Sequence, residues 1–122
     1  MRKPQLSYIV LASNNVTSTL AFYLALGLSS KEERHGEGPI HYSIRFVGLV
    51  LEIYSLDDLP GANVGGGAIG LSVFQRLETI KARLRVTGFK ANQPIIERKT
   101  DRVIILEDPD GRAVRVHEQK PG

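Results

Sequence analysis

One order of elements is written twice in this chain, and few folds accommodate that. In the first half, Ser7 to Leu11 reads as a strand, and Ser13-Asn14-Asn15 offers N-cap chemistry for a helix. Val16, Leu20, Tyr23 and either Leu24 or Ala21 fall on one side of that helix. Gly27 stops it, in the left-handed conformation that glycine adopts just past a helix. Strands are expected at 28–34, 40–46 and 49–54. The second half repeats the order, with a strand at 68–74 and a helix at 76–87 whose Leu77, Ile80 and Leu84 share a face. Gly88 is its stop. Strands at 89–91 or slightly beyond, 101–106 and 113–117 complete the unit. Gly48 and Gly111, each opening a last strand, are spaced almost as Gly27 and Gly88 are.

The pattern is therefore βαβββ twice, in modules at about 5–55 and 67–118 joined by a Gly/Pro/Asp-rich linker at 56–66. Neither half can bury the inner face of a four-stranded sheet alone. Two halves side by side make a single α+β domain, an open, cup-like mixed β-sheet barrel with helices outside. A chain of 122 residues is long enough for one such core.

Composition narrows the chemistry. With no cysteine there is no disulfide framework, thiolate zinc site or cysteine nucleophile. The apolar run near the N-terminus is too short for a signal core or a membrane span, so a cytoplasmic protein without membrane contact is expected. The net charge of +3 raises the question of nucleic acid. However, Lys81, Arg83 and Arg85 spread around a helix without interleaved aromatics, which reads as a solvated face.

Near the C-terminus, Asp108-Pro109-Asp110-Gly111 is strong turn chemistry between two β-rich runs. After it, Val114 and Val116 point one way, while Ala113, Arg115 and His117 point the other. In the first half His41, Ser43 and Arg45 share one strand face, opposite Tyr42, Ile44 and Phe46.

The stretches STLAFYLALGL (18–28), VLEIY (50–54), LETIKARLRVTGF (77–89) and EDPDGRAVRV (107–116), in this order, resemble the vicinal oxygen chelate superfamily of glyoxalase I, extradiol dioxygenases and bleomycin resistance proteins. The resemblance spans almost the whole chain. It implies a divalent metal in the cup, held by one residue from the first and last strand of each module. Those positions fall on Tyr8 (or Ser7), Glu52, the run Ala68 to Val73, and Arg115. Only Glu52 is a usual ligand, and a guanidinium has no lone pair to give. The family metal set is therefore expected to be dismantled, with no cofactor required, although a divalent metal held otherwise stays open.

The strand-opening glycines give the same equivalence, since Glu52 and Arg115 are each the fourth residue past one. The two are expected to face each other as an ion pair, either a structural tie or a site in which Arg115 grips an anion and Glu52 orients it or acts as base. Tyr8, Tyr54, His41 and Arg45 join them as candidate ligand-binding residues. His41 reads either as a base or as a hydrogen-bonded histidine. His117 is expected near a frayed chain end, and His35 lies in a polar loop. A small-molecule-binding homodimer follows, and basic charge favours an anionic ligand over a cationic drug. The alternative is a metal-dependent lyase or dioxygenase with altered ligands.

Overall fold

The computed structural model describes residues 1–120. β1 (Tyr8–Ser13) leads into α1 (Val16–Ala25), followed by β2 (Lys31–Glu33), β3 (His41–Phe46) and β4 (Leu49–Ser55). A 3-10 turn at Leu56–Asp58 opens the linker. β5 (Ala68–Val73), α2 (Leu77–Val86), β6 (Ile96–Glu97), β7 (Asp101–Glu107) and β8 (Ala113–Gln119) repeat the order. The strands form two sheets of matching arrangement, β1-β4-β3-β2 and β5-β8-β7-β6, each with one parallel pair. The chain is thus α+β, with two βαβββ modules forming an open cup that does not close into a barrel. No helix among the described residues is long and apolar enough to cross a membrane.

Alternation along the strands sorts the residues. Leu51 and Ile53 of β4, Ile104 and Leu106 of β7, and Val114 and Val116 of β8 are buried. They join Phe22, Tyr23, Leu77, Ile80 and Leu84 in one hydrophobic cluster drawn from both modules. The opposite faces stay more exposed, with Tyr8, Val10 and Ile105 among the exposed apolar residues.

Several elements differ from expectation. β2 spans only Lys31–Glu33, because pairing with β3 begins at Lys31 opposite Ser43. β6 forms at Ile96–Glu97, not at 89–91. Phe89 and Ala91 pack against the core as coil, with Phe89 edge-on to Phe22 at 5.5 Å, and strand begins only where β7 offers a partner. α1 packs with Tyr23 buried and Val16 and Leu20 against the core, as expected, and it also buries Thr19, Phe22 and Ala25 while Leu24 is exposed. Asn15 caps it as expected, accepting from Ser18 N–H at 3.0 Å. The α2 cations are not merely solvated. Lys81, Arg83 and Arg85 donate to the carbonyls of Gln93, Ala25 and Ala91 at 2.8, 2.9 and 3.2 Å.

The burial of Thr19 on α1 has a polar cause. The turn at 108–111 forms, with Gly111 at φ 91°, yet its carboxylates point inward rather than to water. Asp108 accepts from the Tyr23 hydroxyl at 2.7 Å and from the Arg112 guanidinium at 2.9 Å. Its other oxygen accepts the backbone N–H of Asp110 and Arg112. Asp110 accepts from the Thr19 hydroxyl and the Asn14 N–H. Arg112 also donates to the Ala12 carbonyl. The side chain of Asp108 is fully buried and that of Arg112 is 5% exposed, so this network ties the second module to β1 and α1 of the first.

Breaking one partner of a buried pair leaves a charge without compensation. Arg112→Met should destabilise the fold by about 3–5 kcal/mol in denaturant unfolding, and Arg112→Met combined with Asp108→Asn should cost less than the single change. Acid acts on the same network. Burial raises the Asp110 carboxyl, but the Thr19 and Asn14 hydrogen bonds and the Arg112 charge hold it below the usual range. A carboxyl depressed on folding adds stability that is present above its unfolded pKa of about 3.9 and lost as pH falls through the folded value. Stability should therefore drop below about pH 4 and change little through neutrality for this group.

Candidate functional site

The open face of the first sheet brings together three of the predicted residues. β3 and β4 run antiparallel with Ser43 opposite Glu52, which sets His41 diagonal to Glu52 and level with Tyr54. The His41 ring is 1% exposed and stacks on Tyr54, with centroids 4.3 Å apart and planes 7° from parallel. Its Nε2 lies 3.0 Å from Glu52 Oε2, while Nδ1 meets the Pro39 carbonyl at 3.3 Å. Beside them Ser43 donates to Glu33, whose carboxyl that hydrogen bond holds below the usual range. Arg45 is exposed, 3.8 Å from Glu33. Tyr8 stands further along β1 opposite Val50, 61% exposed, and the residue opposite Glu52 is Val10.

Glu52 and Arg115 do occupy equivalent positions, opposite Val10 and Gly70 in their parallel pairs. The expected ion pair between them does not form. The two sit in separate sheets, and the side chain nearest the Glu52 carboxylate is His41 on the adjacent strand, within one strand spacing. Arg115 is exposed between Ile105 and Gly70, with no carboxylate within 4.0 Å among the described residues. His117 is not frayed. It lies within β8, and its Nδ1 is 2.9 Å from Asp101, whose carboxyl it holds below the usual range.

Of the positions that the family resemblance assigns to a metal, Tyr8 (or Ser7), Glu52, the run Ala68 to Val73 and Arg115, the strand pairing sets Val10 opposite Glu52 and Gly70 opposite Arg115. One carboxylate does not make that metal set. The sequence reading missed His35, whose ring centroid is 5.0 Å from that of His41. His35, His41 and Glu52 each offer a ligand atom, all within 4.8 Å of one another. Only the turn between β2 and β3 creates this proximity, and no periodic pattern announces it.

Cavities elsewhere offer less. The groove between α1 and α2, about 530 Å³, is lined mainly by Ala21, Leu24, Ala25, Ala82 and Val86. Its one cation, Arg83, already bonds a carbonyl. Beyond Arg83 its polar groups are Thr87, which bonds backbone carbonyls, and Thr79, so the strand faces with their clustered ionisable groups are the better candidate.

Tyr54 reports on the site's charge. Burial raises its phenol pKa, and the nearby Glu52 and Glu33 carboxylates add to that. Glu52→Gln removes one of these charges and should lower the Tyr54 pKa, read by NMR titration of ring-labelled tyrosine in chelator-treated protein. An unchanged value would show that Glu52 does not act on the phenol.

No protein-family model matches the sequence, and no curated protein does. Solved structures do match. Lactoylglutathione lyase from Agrobacterium tumefaciens aligns at TM-score 0.60 and 16% identity, over 97% of this chain and 96% of that one. TnmS3, an antibiotic binding protein from Streptomyces sp. CB03234, aligns at 0.69 and 14%, over 98% and 99%. The oxidase ChaP-H2 aligns at 0.66 and 16%, over 99% and 98%. A lyase, a binding protein and an oxidase on one scaffold show how little fold alone says about activity. At these identities the likeness is one of architecture, and with the paired βαβββ modules it establishes that this chain has the vicinal oxygen chelate fold.

Proposed function

We propose that this chain is a cytoplasmic, homodimeric small-molecule-binding protein that takes an anionic, carboxylate-bearing organic ligand in its cup, without the family's four-position metal set. Arg115 is the observation that carries this reading. It is an exposed guanidinium on a strand face, with no carboxylate partner among the described residues. Ile105 beside it is exposed, and a Cβ built on Gly70 would meet nothing within 4 Å, so a planar anion has both a fork to bind and room to enter. Tyr8, His41, Arg45, Glu52 and Tyr54 supply aromatic and polar wall on the other sheet. The net charge of +3 steers anions toward the protein. The likeness to an antibiotic binding protein supports binding without requiring turnover. A second copy would cover the open sheet edges.

A second reading, a metal-dependent lyase or dioxygenase with altered ligands, is favoured by the convergence of His35, His41 and Glu52 and by the likeness to a lyase.

A thermal-shift and calorimetry panel of small carboxylates and size-matched cations tests the first reading. Carboxylates should bind and cations should not. Arg115→Met should weaken carboxylate binding about tenfold or more, the loss of one charged hydrogen-bonding group. Gly70→Val, which the open space accommodates, should weaken binding with little change in thermal stability. Equal affinity in wild type and Arg115→Met would overturn the role of Arg115, and a monomer mass by light scattering would overturn the dimer.

A further inference from the structure

We infer that His35, His41 and Glu52 form a binding site for a borderline divalent cation of the Zn²⁺ class, built within the first module and sharing only Glu52 with the family's four positions. The inference stands on these side chains and does not depend on the anionic ligand.

The His41 ring carries the argument. A carbonyl oxygen only accepts, so the contact of Nδ1 with the Pro39 carbonyl puts the ring proton on Nδ1. In the neutral ring Nε2 then keeps its lone pair. That atom is buried, and it makes no hydrogen bond even though Glu52 Oε2 is 3.0 Å away. In the neutral ring two lone-pair atoms at this distance repel unless a cation lies between them, and the contact lacks the geometry of a hydrogen bond from a proton on Nε2. A metal supplies that cation. With bonds of roughly 2.1 Å, neighbouring ligands of one ion stand about 3.0–3.4 Å apart, which matches the observed contact. A histidine that binds metal through one nitrogen and donates to a carbonyl through the other is the usual outer-shell arrangement.

His35 completes the set. It precedes Gly36, which has φ 59°, and its carbonyl accepts Gly38 N–H at 2.9 Å in the turn between β2 and β3. Arg34 Nε closes the same loop by donating to the Gly38 carbonyl at 2.8 Å. The loop thus brings an exposed imidazole to the edge of a buried one. Two imidazoles and a carboxylate suit zinc and its first-row neighbours better than calcium or magnesium, which prefer oxygen alone. Three protein ligands leave coordination positions open toward solvent, since His35 is exposed and Glu52 only partly covered. The other nearby carboxylate, Glu33, is already engaged by Ser43 and faces Arg45, so it is not counted among the ligands.

Zn²⁺ binding to the chelator-treated full chain, measured by competition with a chromophoric chelator, tests the site. One Zn²⁺ per chain should bind, and Co²⁺ should give ligand-field absorption. His35→Gln, His41→Gln and Glu52→Gln should each weaken Zn²⁺ binding at least tenfold, and His117→Gln and Arg115→Met should leave it unchanged. His35 is exposed, so His35→Gln should remain folded and keeps the test decisive if His41→Gln does not fold. Failure to bind Zn²⁺, or undiminished binding in His35→Gln and Glu52→Gln, would overturn the inference. Carboxylate binding through Arg115 is read separately, so the two ideas stand or fall apart.

Discussion

The buried pair of Arg112 and Asp108 is the contact on which the arrangement of the two modules depends. Each charge taken out of water costs several kcal/mol, and only complete hydrogen bonding offsets that. Here the offset is assembled from both modules. Asp108 takes donors from Tyr23 and from its own turn, Asp110 takes donors from Thr19 and Asn14, and Arg112 reaches the carbonyl of Ala12. A displacement of the turn would strand several of these groups at once. The turn opens β8, so the same lock determines where Arg115 stands relative to β1.

A second constraint, strand alternation, makes core and candidate site from the same segments. Along β4, Leu51 and Ile53 enter the core while Glu52 and Tyr54 face the open side. Along β8, Val114 and Val116 do the first and Arg115 and His117 the second. Shifting either strand by one residue would bury a charge and expose an aliphatic side chain, so the core holds the site residues in register. The two open faces are not alike chemically. The first collects imidazole, phenol and carboxylate in mutual contact, and the second presents an isolated guanidinium beside aliphatic surface and a glycine gap. One scaffold thereby carries a cluster suited to a cation and a position suited to an anion.

The repeat, the helix stops at Gly27 and Gly88, the cap at Asn15 and the equivalence of Glu52 with Arg115 were all legible in the amino-acid sequence. These depend on local backbone chemistry and on periods of two and 3.6, which neighbouring residues dictate. Short strands were less legible. β2 and β6 exist only where an adjacent strand offers hydrogen bonds, and propensity at 28–30 or 89–91 cannot report that.

Partner choice belonged to tertiary structure alone. Equivalent repeat positions suggested that Glu52 would meet Arg115, yet strand pairing brought His41 close to the carboxylate while Arg115 stands in the other sheet. Asp108 and Asp110 read simply as turn residues. Their burial required Thr19 and Tyr23, far away in sequence, to supply donors across the module boundary. His35 likewise looked like part of a polar loop until the turn folded it onto His41. Sequence by itself determined the helices, the longer strands and the alternation along those strands, because those follow from local geometry. Which charges meet was decided only by the packing of distant segments, because Coulomb and hydrogen-bond energies depend on distances that no single segment contains.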